Sequence, residues 1–273
     1  MKIGLALSGG AARGIAHVGV LKYLEERGVK PCCIAGTSAG SLVGAFYCSG
    51  ISVEGLIDIA LSMSWKDLIK ISIPRMGLIK SSLLLSEIEE HIGKITFEQL
   101  KIPLIVNAVD LLHGKEVIIE KGPVAEAVEA SCAIPGIFTP VKWNKYILVD
   151  GGLLDNVPAA HMKNRDIDFI IAVNVSAQKP LQKEPGNIFE VLIQSYDIIR
   201  RHRDIPGYKN TDVLIEPDLG DISIWDTGKA KILIDRGYEA ARKALDEIDL
   251  AKRPGRIARW LKKRKDKTRW ADE

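Results

Sequence analysis

The chain has 273 residues, of which 47% are hydrophobic and 27% are charged, and its formal net charge is +3. This composition is typical of globular proteins and excludes a disordered, collagen-like or disulfide-dense chain. The charge is unevenly distributed, because residues 251–273 carry ten basic and three acidic side chains while residues 1–250 carry a small net negative charge. We therefore expect one α/β domain over residues 3–250, with its motifs within residues 3–163, and a basic C-terminal tail over residues 251–273.

The first 65 residues alternate between predicted strands and predicted helices. The elements are a strand at 2–8, a glycine-rich turn at 9–14, a helix at 15–27, a strand at 32–35, a sharp turn at 36–40 and a buried helix at 41–49. This order predicts a mainly parallel central sheet with helices on its faces.

Residues 31–53 contain no charged side chain, and Gly40 and Gly44 form a GxxxG pair within them. The length alone would allow a membrane-spanning helix. Several hydroxyl side chains and four glycines interrupt the stretch, so we interpret it as a buried strand, a turn and a buried helix. The apolar run that begins at Ile3 is too short for a signal-peptide core, and the four cysteines match no zinc or redox spacing. Both observations favour a cytoplasmic location.

The remaining elements alternate less regularly. Helices are predicted at 53–63, 86–92, 124–133, 187–203 and 228–248, and strands at 146–149, 169–175 and 213–216. Residues 102–109 and 116–120 are predicted to form a hairpin. Residues 65–85 are apolar and basic with two helix breakers, and we interpret them either as a mobile cover or as a loop packed on the body.

A G-x-S-x-G motif spans residues 36–40, between a predicted strand and a predicted helix. This setting is typical of a nucleophile elbow, in which Gly36 and Gly40 leave room for a turn that presents Ser38. The N-terminus of the following helix carries partial positive charge, which favours an anion developing near Ser38. The alternative is a glycine–serine turn that only packs the helix against the sheet.

The glycine-rich loop contains Gly9, Gly10, Ala11, Arg13 and Gly14. Consecutive backbone N–H groups in such a loop can bind an anion. The loop matches neither the dinucleotide-binding nor the P-loop pattern. We interpret it either as an oxyanion hole for acyl transfer, with Arg13 orienting the loop or adding positive charge, or as a plain strand-to-helix turn.

Asp150, Gly151 and Gly152 follow the predicted strand at 146–149. Because the carboxyl ends of parallel strands meet at one edge of a sheet, we expect Ser38, the glycine-rich loop and Asp150 to lie together. The alternative is a simple Asp-Gly turn.

A serine nucleophile needs a base. His161 and His202 follow Asp150, as in the chain order of Ser-Asp-His hydrolases, but neither lies in a strong motif. Asp150 is the other candidate. Partial burial would raise its pKa above the usual value of about 3.9, and a direct hydrogen bond to Ser38 would supply proximity.

These motifs resemble the patatin-like phospholipases. That family has a Gly-rich loop ending in Arg/Lys-Gly, a G-x-S-x-G nucleophile, an A-S-x-x-x-P-x-x-F-x-P block and a D-G-[GA] acid box. The similar segments here are, in the family's order, residues 9–14, 36–40, 130–140 and 150–152, and Asn156-Val157-Pro158 also fits. Four motifs in the same order are far more specific than any one of them.

The resemblance implies a patatin-like sandwich fold and hydrolysis of lipid acyl esters by a Ser38–Asp150 dyad, of the phospholipase A or lysophospholipase type. It also implies backbone donors at Gly10 and Ala11, and neither a metal nor another cofactor. The chain is similar to the short bacterial branch related to neuropathy target esterase. It departs from many members at Ala11, where they have a third glycine.

The resemblance does not extend over residues 164–273. In the tail, Ile257, Trp260 and Leu261 have helical spacing among many basic residues. This pattern predicts either peripheral contact with an anionic membrane or a solvated helix docked through Trp260. We expect no nucleic-acid partner, and the sequence carries no prediction of oligomeric state.

Two other functions stay open from the sequence. The first is a binding or regulatory protein that keeps the fold with little turnover. The second is a Ser-His-Asp hydrolase or acyltransferase that uses His161 or His202.

Overall fold

The computed structural model describes residues 1–62, 77, 79–163, 165–176, 184–186, 188–202, 205–220, 222–224 and 226–250. The strands within these residues are β1 (Ile3–Leu7), β2 (Cys33–Gly36), β3 (Leu104–Asp110), β4 (Lys115–Ile119), β5 (Val141–Trp143), β6 (Tyr146–Asp150), β7 (Phe169–Val173) and β8 (Val213–Ile215). The α-helices are α1 (Ala16–Glu26), α2 (Ala39–Ser49), α3 (Val53–Ser62), α4 (Ser82–Ile92), α5 (Val124–Ser131), α6 (Ile188–His202), α7 (Ile205–Lys209) and α8 (Ala230–Leu245).

The strands form one mixed sheet in the spatial order β5-β6-β3-β2-β1-β7-β8, and β4 also pairs with β3. The five neighbours from β3 to β8 are parallel, whereas β4, β5 and β6 pair in antiparallel fashion. Every residue of β1, β2, β3 and β7 is buried, which explains why those segments are almost continuously apolar. The predicted α/β class is confirmed, with the parallel strands at the centre.

Most predicted elements are confirmed with small changes at their ends. Residues 31–53 form β2 and α2, and no helix in the described part of the chain is long and apolar enough to cross a membrane. The predicted hairpin is β3 and β4. The short β5 and α7 were not predicted, and α4 begins four residues before the predicted start. Residues 65–76 and 78 of the predicted cover, and the tail at 251–273, lie outside the described residues.

Helices α1 and α8 pack with their backbones in contact. A Cβ atom on Gly19 would lie 1.9 Å from the backbone oxygen of Ile234, and one on Gly237 would lie 1.9 Å from that of Ala16. Only glycine permits this approach, so the two glycines fix where α8 crosses α1. This contact attaches α8, which follows the last strand, to the first helix of the fold.

The register of the strands brings the candidate motifs together. Leu7 at the end of β1 pairs with Gly36 at the end of β2, so the glycine-rich loop and the serine turn begin side by side. Strand β6 is antiparallel to β3, and Asp150 pairs with Ala108, two residues beyond the Val106 that pairs with Gly36. The expectation that Asp150 ends a parallel strand is therefore wrong, but β6 stops at the level of the serine turn.

Candidate active site

Ser38 sits in a strained turn between β2 and α2. Its backbone has φ 51° and ψ −125°, in a region that side-chain-bearing residues rarely adopt and that costs about 1–3 kcal/mol. A Cβ atom on Gly36 would lie 2.6 Å from the Gly40 oxygen, and one on Gly40 would lie 2.2 Å from the Leu7 oxygen. Both glycines are thus required by close backbone contact, as the elbow interpretation predicts.

Buried hydrogen bonds hold the turn in this conformation. The Ser38 N–H donates to Ser131 Oγ at 2.8 Å, and Ser41 Oγ donates to the Ser38 carbonyl oxygen at 2.6 Å. On the preceding residue, Thr37 Oγ1 donates to Asn107 Oδ1 at 2.8 Å. The strained serine is therefore fixed from α5, from α2 and from β3, which is the support that a residue in such a conformation needs.

Asp150, at the end of β6, is only 1% exposed. Its Oδ1 accepts a hydrogen bond from the Gly152 N–H at 2.8 Å and one from the Tyr196 hydroxyl at 2.9 Å. A Cβ atom on Gly151 would lie 2.6 Å from the Asn107 backbone oxygen, and one on Gly152 would lie 2.6 Å from the Tyr196 hydroxyl. Gly151 is required because the chain turns against the backbone of β3 there, and Gly152 leaves room for the Tyr196 hydroxyl of α6.

The glycine-rich loop runs beside Ser38. The Gly9 N–H donates to the Asn156 carbonyl oxygen at 3.3 Å. Among the described residues, the backbone N–H groups of Gly10 and Ala11 donate to no other protein group, and both residues border the same cleft as Ser38. Ala11 has φ 49°, so an alanine adopts a left-handed conformation at this position. This is the position at which many members of the family that the motifs resemble have a glycine.

Arg13 and Gly14 support the loop from behind. The Arg13 side chain is buried, and its Nε donates to the Ile222 carbonyl oxygen at 2.9 Å. A Cβ atom on Gly14 would lie 2.5 Å from the Ala39 Cβ, so the loop packs directly on the first residue of α2. Neither residue borders the cleft. Of the two roles predicted for Arg13, orienting the loop agrees with these contacts.

His17 lies under the same loop. Burial lowers the pKa of His17 to about 4, so the ring is neutral at pH 7. A neutral ring must carry its proton on Nε2 to donate to the Ser8 carbonyl oxygen, 2.9 Å away. His17 therefore holds the start of the loop.

Ser38, Asp150 and the loop border one narrow cleft of about 30 Å³. Its walls combine these polar groups with apolar side chains from α6 and from the loops after α5 and β8. The lining residues are Gly9, Gly10, Ala11, Ser38, Ile134, Asp150, Asn156, Ile193, Tyr196, Asp197 and Ile224. The cleft joins a serine hydroxyl, a carboxylate, backbone N–H groups and an apolar wall, which are the kinds of group that acyl transfer uses.

Comparison with known proteins agrees with this geometry. The family model described as patatin-like phospholipase matches residues 5–162, which is more than half of the chain and includes every group named above up to Asn156. The chain belongs to this family. Its patatin-like membership was predicted from the motifs and is confirmed.

The relatives include proteins of the NTE family, which confirms the predicted relation to that branch. An uncharacterized NTE family protein of Mycobacterium tuberculosis is 35% identical over 65% of this chain and 50% of its own length. The lysophospholipase NTE1 of Candida albicans is 32% identical over 78% of this chain and 16% of its own length. The chain thus spans half or less of the length of these curated relatives.

A solved structure supports the fold. VipD from Legionella pneumophila superposes with a TM-score of 0.63, covering 90% of this chain and 66% of that protein, at 13% sequence identity. At this identity, the similarity concerns the architecture alone.

His161, the first alternative base, lies outside the patatin-like cleft. Its Nε2 is 3.1 Å from Glu116 Oε1 and 3.3 Å from Asp155 Oδ2. Burial opposes the charged ring, but the hydrogen bonds and charges of Asp155 and Glu116 prevail and raise the pKa of His161 to about 9. His161 is therefore an imidazolium at pH 7 and cannot act as a general base there. The side chain of His202, the second alternative, lies outside the described residues.

The His161 cluster has the composition of a metal site but the charge distribution of an ion pair. The ligand atoms of Glu116, Asp155 and His161 lie within 4.8 Å of one another. Burial opposes the charge of Glu116, but the His161 hydrogen bond lowers the pKa of Glu116, whereas burial raises the pKa of Asp155. The protonated ring contacts both carboxyl groups, so the cluster already contains a cation of its own.

The four cysteines are free, and Cys33, Cys48 and Cys132 are buried. Burial raises the pKa of the Cys132 thiol, and the charge of Asp150 raises it further. Cys132 therefore stays protonated beside Ser38. In such surroundings a free cysteine behaves as a small hydrophobic residue.

Three residues that matter to the cleft received no role from the sequence. Ser131 lay within a matched block, but only the folded chain brings its hydroxyl to the Ser38 N–H. Asn156 followed the acid box, and its carbonyl oxygen holds Gly9. Tyr196 lies in a predicted helix that carries no motif. It is 46 residues from Asp150 in the sequence, and only the folded chain brings its hydroxyl to Asp150 Oδ1.

Proposed function

We propose that this chain is a serine esterase that hydrolyses lipid acyl esters of the phospholipase A or lysophospholipase type. Ser38 is the nucleophile and Asp150 the general base. Gly10 and Ala11 form the oxyanion hole, while Gly9, Arg13 and Gly14 hold that loop in place.

The first half-reaction forms an acyl-enzyme. Ser38 Oγ attacks the ester carbonyl carbon while the Asp150 carboxylate takes the hydroxyl proton. The carbonyl oxygen becomes an oxyanion, which the N–H groups of Gly10 and Ala11 stabilise. Asp150 then gives its proton to the departing alcohol oxygen as the bond from that oxygen to the acyl carbon breaks.

The second half-reaction releases the acid. Asp150 takes a proton from water, whose oxygen attacks the acyl carbon, and the N–H groups stabilise the second oxyanion. Asp150 then returns the proton to Ser38 Oγ as the acyl–serine bond breaks. Because the Gly152 N–H binds Oδ1, the carboxylate keeps one rotation through both steps.

The observation that carries this proposal is the shared cleft. The cleft is bordered by a serine in a strained elbow, by a buried carboxylate and by two backbone N–H groups. Among the described residues, these two N–H groups donate to no protein acceptor. Ile134, Ile193 and Ile224 supply an apolar wall suited to an acyl chain. Family membership and a relative named lysophospholipase support a lipid ester as the substrate class.

The test is ester hydrolysis by the purified protein, with a short nitrophenyl ester and a lysophospholipid in parallel. Ser38→Ala and Asp150→Asn should each lower kcat by at least a thousandfold, because each removes a group that takes part in both half-reactions. Ser49→Ala is the matched control, since Ser49 lies at the far end of α2 and its hydroxyl bonds only within that helix turn. Circular dichroism verifies that each variant is folded.

The outcomes separate the rival functions. Activity that survives in folded Ser38→Ala would refute the assigned nucleophile. Activity lost in Ser38→Ala but kept in Asp150→Asn would require another base. A wild-type protein inactive on both esters would favour the binding or regulatory role.

A further inference from the structure

Helix α6 covers the candidate active site with one of its faces. Ile193, Tyr196 and Asp197 line the cleft, and the Tyr196 hydroxyl donates to Asp150 Oδ1 at 2.9 Å. Ser38 is only 5% exposed and Asp150 only 1%. The cleft that remains between α6 and these two residues has a volume of about 30 Å³, which leaves no room for a lipid ester while α6 stays in this position.

The opposite side of α6 is largely apolar and faces solvent, and the exposed Ser195 is the one polar side chain described within it. Half of the ten large hydrophobic side chains that are exposed in the described part of the chain lie on this one helix. They are Ile188 (63% exposed), Val191 (43%), Leu192 (44%), Ile198 (54%) and Ile199 (47%). At 3.6 residues per turn these five side chains fall within an arc of roughly 120°. We call them the outer face of α6.

Helix α6 also has few buried apolar contacts among its described residues. None of its described side chains is buried, whereas α1, α2 and α5 each bury most of their residues. An element with few buried apolar contacts opens at low cost compared with the core. Movement of α6 would uncover the cleft and leave the sheet intact.

We propose that α6 is a lid that opens by docking its outer face onto a phospholipid bilayer. Tyr196 is its latch in the closed state, through the hydrogen bond to Asp150. On the bilayer, the outer face enters the boundary between headgroups and acyl chains, and the cleft opens towards lipid. This inference rests on the proposed function and identifies how the substrate reaches that site.

The outer face favours a bilayer over other occupants. Its five members are aliphatic, and the acidic Glu190 and Asp197 of α6 lie outside its arc. An uncharged surface of this kind requires an apolar partner rather than a charged one. The surface belongs to the helix that closes the cleft, so a bilayer bound there meets the opening through which its own lipid must pass.

The experiment compares Ile198→Asp with Ile232→Asp on vesicles of pure phosphatidylcholine. Ile232 is 41% exposed on α8, away from the cleft, and is therefore a matched control. Uncharged vesicles remove the attraction that the basic tail would exert on an anionic surface. Co-sedimentation measures binding, and phospholipid hydrolysis and hydrolysis of a soluble nitrophenyl ester are measured on the same samples.

We expect Ile198→Asp to lower vesicle binding and vesicle hydrolysis by about tenfold or more, since a carboxylate would enter the bilayer boundary. Hydrolysis of the soluble ester should change by less than twofold, and Ile232→Asp should behave as wild type. Ile199→Asp is the second variant and should repeat the result. Wild-type binding and hydrolysis in both α6 variants would overturn the proposal.

Binding is measured without turnover, so a protein inactive on every ester would refute the proposed function and still give a result for α6. Loss of a dimer in Ile198→Asp, with vesicle binding unchanged, would assign the outer face to a second copy and overturn the bilayer proposal.

Tyr196→Phe tests the latch, because it keeps the ring and removes the hydroxyl. We expect it to raise soluble-ester turnover several-fold. A fall in turnover would refute the latch and make Tyr196 a positioning residue for Asp150.

Discussion

Replacing His161 by glutamine tests the ion-pair interpretation of the Glu116–Asp155–His161 cluster. The three side chains are 25%, 11% and 19% exposed, so solvent screens their charges only partly. In the wild-type protein an imidazolium lies between two carboxyl groups. Glutamine has a similar reach but no charge, so the variant leaves the carboxyl groups without a cation.

The magnitude follows from the pKa of His161, which is 6.5 in the unfolded chain and about 9 in the folded protein. Each pKa unit corresponds to 1.36 kcal/mol, so a difference of about 2.5 gives about 3 kcal/mol. A raised histidine pKa stabilises the folded state fully below pH 6.5, and this contribution is lost as the pH rises through about 9. Most of this stabilisation is present at pH 7, and almost none of it is present at pH 10.

The assay is urea unfolding of wild type and His161→Gln at pH 7 and pH 10. We expect the variant to be about 3 kcal/mol less stable at pH 7 and nearly equal to wild type at pH 10, apart from effects common to both proteins. His113→Gln is the control, because His113 also pairs with a carboxylate, Asp110, but is 64% exposed. A stability difference between His161→Gln and wild type that is the same at both pH values would refute the charged state assigned to His161.

Four further predictions concern the cleft. Ser131→Ala should lower the free energy of unfolding by about 1–3 kcal/mol and slow ester turnover, because the elbow N–H loses its buried acceptor; unchanged urea melts would contradict this. Gly40→Ala should destabilise by about 3 kcal/mol or more, since its Cβ would lie 2.2 Å from a strand oxygen, and a fully soluble variant with a native melting temperature would exclude that contact. Ala11→Gly should raise the free energy of unfolding by up to about 1 kcal/mol by relieving a positive φ, and a lower melting temperature would refute this. Burial lowers the pKa of His17 to about 4, so the neutral ring contributes fully to the free energy of unfolding above pH 6.5, and this contribution is lost as the pH falls to 4. Between these two pH values the free energy of unfolding of wild type should therefore fall by about 3 kcal/mol more than that of His17→Gln, and equal falls would argue against a buried neutral ring.

The turn at Ser38 could be predicted from the sequence because its backbone requirements are local. Gly36 and Gly40 are needed by backbone contacts within the strand–turn–helix unit and with β1, its neighbour in the sheet. A motif of five residues therefore contains the backbone requirements of the turn, while the hydrogen bonds from Ser131 and Asn107 that hold the turn come from distant segments. The α/β class follows equally from local alternation of strand and helix patterns.

The position of Asp150 was predicted on a wrong premise. Periodicity identifies a strand but not its direction, and β6 runs antiparallel to its neighbour β3. Asp150 still reaches the serine turn because β6 overlaps only the last three residues of β3 and ends opposite Ala108. Strand order and register depend on contacts between distant segments, which one sequence does not reveal.

Helix α6 marks the point at which pattern-based prediction fails. Apolar residues such as Ile198 and Ile199 on an amphipathic helix usually face the core. In the fold those isoleucines are exposed, and Tyr196 turns inwards to the buried Asp150. Periodicity records which side of a helix is apolar but not whether protein or bilayer covers that side. An apolar stripe that avoids the core therefore indicates a second environment, and its place beside the cleft is what connects that environment with the reaction.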